Sequence, residues 1–178
     1  MHLELAELEA GLDDIRKSPA DTGTVELIVA RPAEDAREVL AEAQIDTTAG
    51  VVGDTWRDRG PDPDPERQVT VMNARAVALL AQSRERWPLA GDQLYVDLDL
   101  SEQNLPPGTR LAVGEAVLEV TEAPHRGCKK FAARYGLDAL RFVNSEVGYQ
   151  LHLRGINARV VQPGAVHTGD QVRKLPAP

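Results

Sequence analysis

The single cysteine of this chain, Cys128, lies in the segment whose residue types are best suited to chemistry, APHRGCKKFAARYG at 123–136. Good helix formers follow the cysteine and Gly136 is a typical helix stop, so the segment predicts a short helix that begins at Cys128. Three basic side chains flank the thiol: Arg126, Lys129 and Lys130. Helix N-termini and nearby cations lower the pKa of a thiol, and the resulting thiolate attacks sulfur or carbon and binds soft metals. The segment therefore favours a reactive thiolate, whereas the alternative is a buried cysteine that acts as a small hydrophobic residue.

Basic residues concentrate around this cysteine although the chain as a whole is acidic. The formal net charge is −8; residues 1–100 hold 21 acidic and 10 basic residues, and residues 101–178 hold 7 acidic and 10 basic ones. The window 123–160 holds seven basic residues against only Asp138 and Glu146. This pattern favours an anion-binding pocket built around the thiol, and the alternative is a set of solvated surface charges.

Composition argues against several classes of function. The negative net charge disfavours binding to nucleic acid or anionic lipid, and seven aromatic residues leave few to stack on bases. No apolar run approaches the roughly 20 residues that span a bilayer, and the N-terminal residues lack signal-peptide character. His125 and Cys128 have the spacing of a zinc ligand pair, but the sequence holds no second pair to complete a site. We expect a cytoplasmic protein that binds neither nucleic acid nor membrane.

The first half of the chain mixes helices and strands. Apolar residues recur at helical spacing over 5–15, and a strand is predicted over 24–31 with Val25, Leu27 and Val29 on one face. Proline favours the first helical position, so a helix is predicted from about 32 to 43.

The second half is predicted to be rich in strands. Expected strands cover 68–72, 94–100, 110–113, 116–121, 150–161 and 165–172, and Asn73 is expected to cap a helix that ends near 82. Gly114 is expected to turn the hairpin between 113 and 116. Short strands with glycine turns favour a mostly β fold of the α+β type, a barrel or sandwich with peripheral helices.

Several segments resemble the MOSC domain, which is named after the C-terminal part of molybdenum-cofactor sulfurases. They are GCKKFAARYG at 127–136, RGINARV at 154–160, GAVHTGDQV at 164–172, and upstream GVVGD at 50–54, RQVTV at 67–71 and GDQ at 91–93. The resemblance implies a closed β-barrel over about 24–176 and leaves 1–23 as a helical N-terminal appendage. GDQ stands where many relatives have Gly-Glu-Asn, so the polar contacts there are expected to differ.

The resemblance also implies a cofactor and the residues that hold it. The family is linked to the molybdenum cofactor, and its cysteine, which corresponds to Cys128, is the expected catalytic residue and metal ligand. The expected cofactor contacts are Arg126, Lys129, Arg134 and Arg154, with His125 as a hydrogen-bond donor. For Arg134 and Arg154, the alternative is pairing with Glu146 or Asp138 at the surface.

The resemblance leaves three functions open. The first is a molybdenum-dependent oxidoreductase that reduces N-hydroxylated compounds with electrons from a separate reductase. The second is a sulfur carrier that holds a persulfide on Cys128 and is loaded by a sulfur-donor protein, and the third is a non-catalytic anion-binding module. Pyridoxal phosphate is associated with the family only through a separate sulfurase domain, for which the 23 residues before the barrel are too few.

Overall fold

Seven strands close on themselves to form a mixed β-barrel in the computed structural model, which describes residues 1–177. The strands of this part of the chain are β1 (Thr22–Ala30), β2 (Glu38–Leu40), β3 (Glu42–Asp46), β4 (Gly50–Val51), β5 (Val69–Asn73), β6 (Leu94–Asp97), β7 (Arg110–Val113), β8 (Ala116–Val120), β9 (Ile156–Gln162), β10 (Gly164–His167) and β11 (Gln171–Lys174). The helices are α1 (Leu5–Ala10), α2 (Leu12–Arg16), α3 (Ala74–Ala81), α4 (Lys129–Tyr135), α5 (Leu137–Val143) and α6 (Glu146–Gln150), with 3-10 turns at Thr55–Asp58, Pro65–Arg67 and Arg84–Ala90.

The barrel runs in the order β1, β11, β7, β8, β9, β5, β6 and back to β1. Strands β5 and β6 are parallel, and all other neighbours in the ring are antiparallel. A parallel pair needs a crossover connection, which α3 and the 3-10 turn before β6 provide. Strand β2 extends the sheet beside β1, and β10, β3 and β4 form a small second sheet. The predicted closed β-barrel with helices around it is confirmed.

Two hydrophobic clusters separate the inside of the barrel from its helical side. Strand β6 shows the division, because Leu94 and Val96 belong to the inner cluster and Tyr95 belongs to the outer one. The outer cluster gathers the buried faces of α1, α3, α4 and α5. The outward face of β6 is therefore covered by helices at Tyr95.

The N-terminal helices form part of this outer layer. Leu8 of α1 and Ile15 of α2 are buried in the outer cluster, and the backbone N–H of Leu5 donates to Asp138 at the start of α5 (3.1 Å). The expected single helix over 5–15 is two short helices that meet at Gly11. Segment 1–23 thus packs against the helices of the barrel, and β1 already begins at Thr22.

The helix expected over 32–43 is wrong, because this stretch forms β2 and β3. Asp35 adopts a left-handed φ of 58°, which interrupts any helix there. Strand β2 then pairs with the end of β1, and β3 pairs with β10, so that Ala43 and Ile45 become buried. The sheet pairing overrides the helix-forming composition of this segment.

Two further expectations about strands are corrected. A register shift between Val25 and Leu27 places Val25 in the inner cluster and Leu27 and Val29 in the outer one, so these residues do not share a face. The strand expected over 150–161 begins only at Ile156, because α6 and a turn occupy the residues before it. Within residues 1–177, no helix is both long enough and apolar enough to cross a membrane.

Candidate functional site

Cys128 occupies the N-cap position of α4, as its sequence environment predicts. Asn144, the C-cap of α5, holds both backbone groups of Gly127, the residue before the cysteine: its Oδ1 accepts from the N–H of Gly127 (2.9 Å) and its Nδ2 donates to the carbonyl of Gly127 (3.0 Å). A Cβ atom at Gly127 would lie 2.7 Å from Leu140 and 2.9 Å from Val143. A side chain at position 127 would therefore require Leu140 and Val143 to shift, and the packing of α5 sets the position of the thiol.

The thiol of Cys128 is exposed and its pKa is lowered. Partial burial raises the pKa, but the nearby backbone N–H groups of Phe131 and Lys130 and the charges of Arg154 and Arg134 outweigh that effect. The helix does not form a normal side-chain capping hydrogen bond with the sulfur, so its N–H groups act mainly as oriented dipoles. A larger thiolate fraction at neutral pH follows.

Cys128 opens into a cleft with a volume of about 620 Å³, here called the thiol cleft. Six cationic side chains line it: Arg31, Arg37, Arg59, Lys130, Arg134 and Arg154. Three acidic side chains also line it: Glu34, Asp35 and Asp58. The cleft therefore carries an excess of positive charge around the thiol, in a protein whose net charge is −8.

Four consecutive backbone carbonyls, from Pro88 to Gly91, each accept a hydrogen bond from a different arginine of the cleft. The pairs are Arg37 Nε to Pro88 O (3.1 Å), Arg134 Nη1 to Leu89 O (2.8 Å), Arg154 Nη2 to Ala90 O (2.8 Å) and Arg31 Nη1 to Gly91 O (3.1 Å). We call these four side chains the arginine array. The carbonyl oxygens offset the mutual repulsion of the guanidinium groups, and one short segment thereby gathers four cations on one wall of the cleft.

The arginine array is close enough for its members to affect each other. The pKa of Arg37 is lowered by burial and by the charges of Arg134 and Arg31. A Cβ atom at Gly91 would lie 3.5 Å from Arg37 Nη2 and 3.6 Å from Arg134 Nη1. Gly91 has a left-handed φ of 90°, which favours glycine, and an added methyl group would be in ordinary van der Waals contact with both guanidinium groups.

Arg31 is held by a buried ion pair behind the cleft wall. Its Nε and Nη2 donate to Asp54 at 2.8 and 2.9 Å, and its backbone N–H donates to the same carboxylate at 2.8 Å. Burial would raise the pKa of Asp54, but the hydrogen bonds and charge of Arg31 lower it. Asp54 also accepts from the backbone N–H of Trp56 (3.0 Å), within the 3-10 turn Thr55–Asp58 that Arg59 directly follows. One carboxylate thus positions two sides of the cleft.

Arg154 is held by a second buried carboxylate, that of Asp92. Arg154 Nη1 donates to Asp92 Oδ2, and His125 Nε2 lies 2.7 Å from Asp92 Oδ1. Burial would raise the pKa of Asp92, but the charges of Arg154 and His125 and their hydrogen bonds lower it. Next to it, Gln93 is buried and its Oε1 accepts from Thr70 (2.8 Å). Asp92 and Gln93 of the GDQ segment therefore support the site from inside the protein. Gly91 is the one residue of this segment that lines the cleft.

The structure brings together part of the site expected from the sequence. Cys128, Arg134 and Arg154 line the thiol cleft, whereas His125 and Arg126 line a different cavity and Lys129 is exposed and lines neither. Neither surface pairing considered for the two arginines forms, because Arg154 pairs with Asp92 and Arg134 lies 3.4 Å from Asp35.

Sequence reasoning missed Arg31, Arg37 and Arg59, which lie in the acidic half of the chain. Acidic residues outnumber basic ones in residues 1–100, so the net charge of this half gave no sign of a cationic site. One local signal was available: Arg31 directly follows the apolar residues of β1, and a charged residue at the end of a buried strand needs a partner. The partner is Asp54 in the GVVGD segment.

The fold and the site together define a class of protein: a closed β-barrel that presents a single exposed thiol in an electropositive cleft. The sequence profile of the MOSC domain matches residues 54–173, more than half of the chain. The chain therefore belongs to the MOSC domain family, which is associated with molybdenum-cofactor binding.

Solved structures share this fold. The YuaD protein from Bacillus subtilis has a TM-score of 0.61 and 18% identity, over 85% of this chain and 94% of that one. YiiM from Escherichia coli has a TM-score of 0.57 and 20% identity, over 87% of this chain and 71% of that one. YiiM from Geobacillus stearothermophilus has a TM-score of 0.54 and 14% identity, over 86% and 73% of the two chains. No curated protein is significantly similar in sequence.

Proposed function

We propose that the thiol cleft binds the molybdenum cofactor and that the thiolate of Cys128 is the protein ligand of the metal. The observation that carries this proposal is the position of the one exposed thiol in a cleft lined by six cationic side chains. The cofactor combines a pterin, a phosphate and a dithiolene-bound molybdenum, so it needs both a soft ligand and cations.

The residues present fit such a group. Residues 1–177 hold no cluster of three or more His, Cys, Asp or Glu side chains that is arranged to bind a metal ion. Cys128 alone therefore suits a metal that arrives with most of its ligands already in place, as in a dithiolene complex, rather than a bare cation. The cleft volume of about 620 Å³ falls within the usual range of small-molecule sites.

The arginine array supplies donors for an anionic group. Arg37 uses two of its five N–H groups on the carbonyls of Pro88 and Ala36, and Arg134 uses two on Leu89 and Asp35. The remaining N–H groups of both side chains are available to phosphate oxygens. Because each guanidinium is already anchored, little side-chain entropy is lost when an anion binds.

Cys128 contributes the metal ligand. A thiolate binds a soft metal, whereas a thiol must first lose its proton. The lowered pKa of Cys128 therefore favours ligation at neutral pH. When bound, the cofactor supplies two-electron redox chemistry, and this chain's own residues hold it, orient it and balance its charge.

The finer proposal is that the loaded protein reduces N-hydroxylated compounds. In this reaction the N–O bond breaks, two electrons and two protons are consumed, and water leaves. We propose a separate reductase as the source of the electrons. This proposal rests on membership of the family and on the cleft as the binding place.

The test is to purify the protein from a host that makes the cofactor and to measure molybdenum and pterin per chain. We expect near-stoichiometric amounts of both in the wild type and loss of molybdenum in Cys128→Ser. Arg141→Gln, at an exposed arginine of α5 outside the cleft, is the matched control and is expected to retain the cofactor. Wild-type protein without molybdenum and pterin would contradict the proposal.

The molybdenum content, together with an assay for cyanide-labile sulfur, separates the other two candidate functions. Because Cys128 is exposed and no second cysteine is present to form a disulfide with it, a persulfide on this residue would be accessible to a partner. A cyanide-labile sulfur without molybdenum would support a sulfur carrier. If neither sulfur nor molybdenum is found and Cys128→Ser changes nothing, the anion-binding module is the function that remains.

A further inference from the structure

A second cavity, of about 250 Å³, shares no lining residue with the thiol cleft. We call it the histidine cavity, because His125 and His152 both line it. Its walls include the apolar side chains of Leu105, Val143 and Ile156. The cavity therefore combines two imidazole rings with an apolar interior.

The hydrogen bond to Asp92 determines which nitrogen of His125 is available. The Asp92 carboxylate is buried and paired with Arg154, which keeps it ionised, so it can only accept a hydrogen bond. His125 Nε2, 2.7 Å from Asp92 Oδ1, therefore carries a proton. Burial and the charge of Arg154 lower the pKa of His125 below 6.5, so the ring is neutral at neutral pH. Its Nδ1 then has a lone pair and, within residues 1–177, no hydrogen-bond donor.

The ring of His152, like that of His125, has one hydrogen-bonded nitrogen and one nitrogen that is not bonded by any described residue. Its Nδ1 lies 2.7 Å from the carbonyl oxygen of Leu100, which can only accept, so Nδ1 carries the proton. Its Nε2 is the acceptor when the ring is neutral, and no donor among the described residues bonds to it. The residue has a φ of 49°, in the left-handed region, where Asn, Asp and His are enriched among residues other than glycine.

Charged side chains also line the cavity, and its two carboxylates can accept hydrogen bonds from a ligand. Glu102 and Glu122 line it, together with Arg126, whose guanidinium lies 4.6 Å from the ring centre of Tyr149. The stacking of Arg126 on Tyr149 holds this cation against an aromatic face. Carboxylates and imidazole lone pairs together favour a ligand that donates hydrogen bonds.

We propose that the histidine cavity is a second binding site, for a monocyclic aromatic molecule that carries hydroxyl or amine hydrogen-bond donors. The ring packs on the apolar walls, and the donors bind His125 Nδ1 and His152 Nε2. The volume of about 250 Å³ is suited to a single ring with small substituents. This site is separate from the thiol cleft and does not depend on the proposed cofactor.

The probe is resorcinol, which has two phenolic O–H donors on one ring, and its matched control is 1,3-dimethoxybenzene, which has the ring without the donors. Binding is followed by NMR with ¹⁵N-labelled histidine and backbone amides in the cofactor-free protein. We expect saturable shifts of the His125 and His152 ring nitrogens, with binding of the dimethoxy compound at least tenfold weaker.

Two variants complete the test. His152→Asn removes the imidazole but retains a residue that tolerates left-handed φ, and it is expected to weaken resorcinol binding at least fivefold with an unchanged amide spectrum elsewhere. Cys128→Ser is expected to bind resorcinol like the wild type, so that failure of the cofactor proposal is distinct from failure of this one. The proposal is overturned by equal binding of both compounds, by shifts confined to the thiol cleft, or by no saturation.

Discussion

Arg154 and Asp92 form a buried ion pair that connects the thiol cleft to the interior of the protein. The Asp92 side chain is fully buried, with an exposure of 0%, and the Arg154 side chain is 10% exposed. The second oxygen of the carboxylate is used by His125. One buried acid therefore positions a cation of the cleft and a histidine of the second cavity.

Asp92→Asn is expected to destabilise the fold by about 3–5 kcal/mol, because it leaves the buried charge of Arg154 without its partner. The measurement is the free energy of unfolding in urea. Asp13→Asn is the control, since Asp13 and Arg16 form an exposed pair, and a loss below about 1 kcal/mol is expected there. A similarly small loss in Asp92→Asn would show that the pair contributes little.

The lowered pKa of His125 makes stability depend on pH. In the unfolded chain this histidine takes up a proton near pH 6.5, but in the folded protein it does so only at lower pH. The unfolded state therefore binds more protons in this window, and stability falls as the pH falls below about 6.5. His125→Gln is expected to remove this part of the pH dependence, measured as urea midpoints between pH 7.5 and 5. The lowered pKa of Asp92 affects stability separately, at pH values below the pKa of an ordinary aspartate. Unchanged pH dependence in His125→Gln would contradict this assignment.

The cationic cleft is expected to make Cys128 more reactive than a free cysteine. The rate of alkylation by iodoacetamide, measured against pH, should have its midpoint below that of a model thiol. Arg134→Gln is expected to lower the rate at pH 7 by roughly two- to fivefold, the effect of losing one nearby charge. In Arg141→Gln, which lies outside the cleft, the rate should not change. An alkylation midpoint equal to that of a free thiol would refute the electrostatic argument.

Gly91→Ala separates backbone strain from the arrangement of the arginine array. Gly91 and Gly169 have φ values of 90° and 92°, but a Cβ atom meets two guanidinium groups at Gly91 and nothing within 4 Å at Gly169. Both alanine variants are expected to lose about 1–2 kcal/mol of stability. Only Gly91→Ala is expected to lower the molybdenum and pterin content, because its methyl group occupies space between Arg37 and Arg134. Equal cofactor content in the two variants would show that this space is not used.

Local sequence signals predicted several helix ends and turns. The N-cap at Asn73, the hairpin glycine at Gly114 and the helix stop at Gly136 each act within a few residues, and each lies where the sequence indicates. Alternation of apolar residues along β-strands indicated a barrel or a sandwich, and the resemblance to the MOSC domain favoured the closed barrel. The stretch 32–43 was not predictable in this way, since its conformation depends on pairing with β1 and β10.

The arginine array could be predicted only in part. Arg134 and Arg154 lie in the basic window near Cys128, whereas Arg31 and Arg37 come from the acidic half. Their convergence depends on the carbonyls of Pro88–Gly91, which lie more than 50 residues away from Arg37 in the chain. Contacts over such separations depend on closure of the barrel, which local patterns do not encode.

The most direct test of the central claim replaces the sulfur of Cys128, the only cysteine, with selenium and records X-ray absorption at the selenium edge of the cofactor-loaded protein. Because a single atom is labelled, every heavy neighbour seen at this edge belongs to position 128. Direct ligation predicts a molybdenum neighbour bonded to the selenium. A selenium atom surrounded only by carbon and other light atoms, in protein with full molybdenum content, would contradict it.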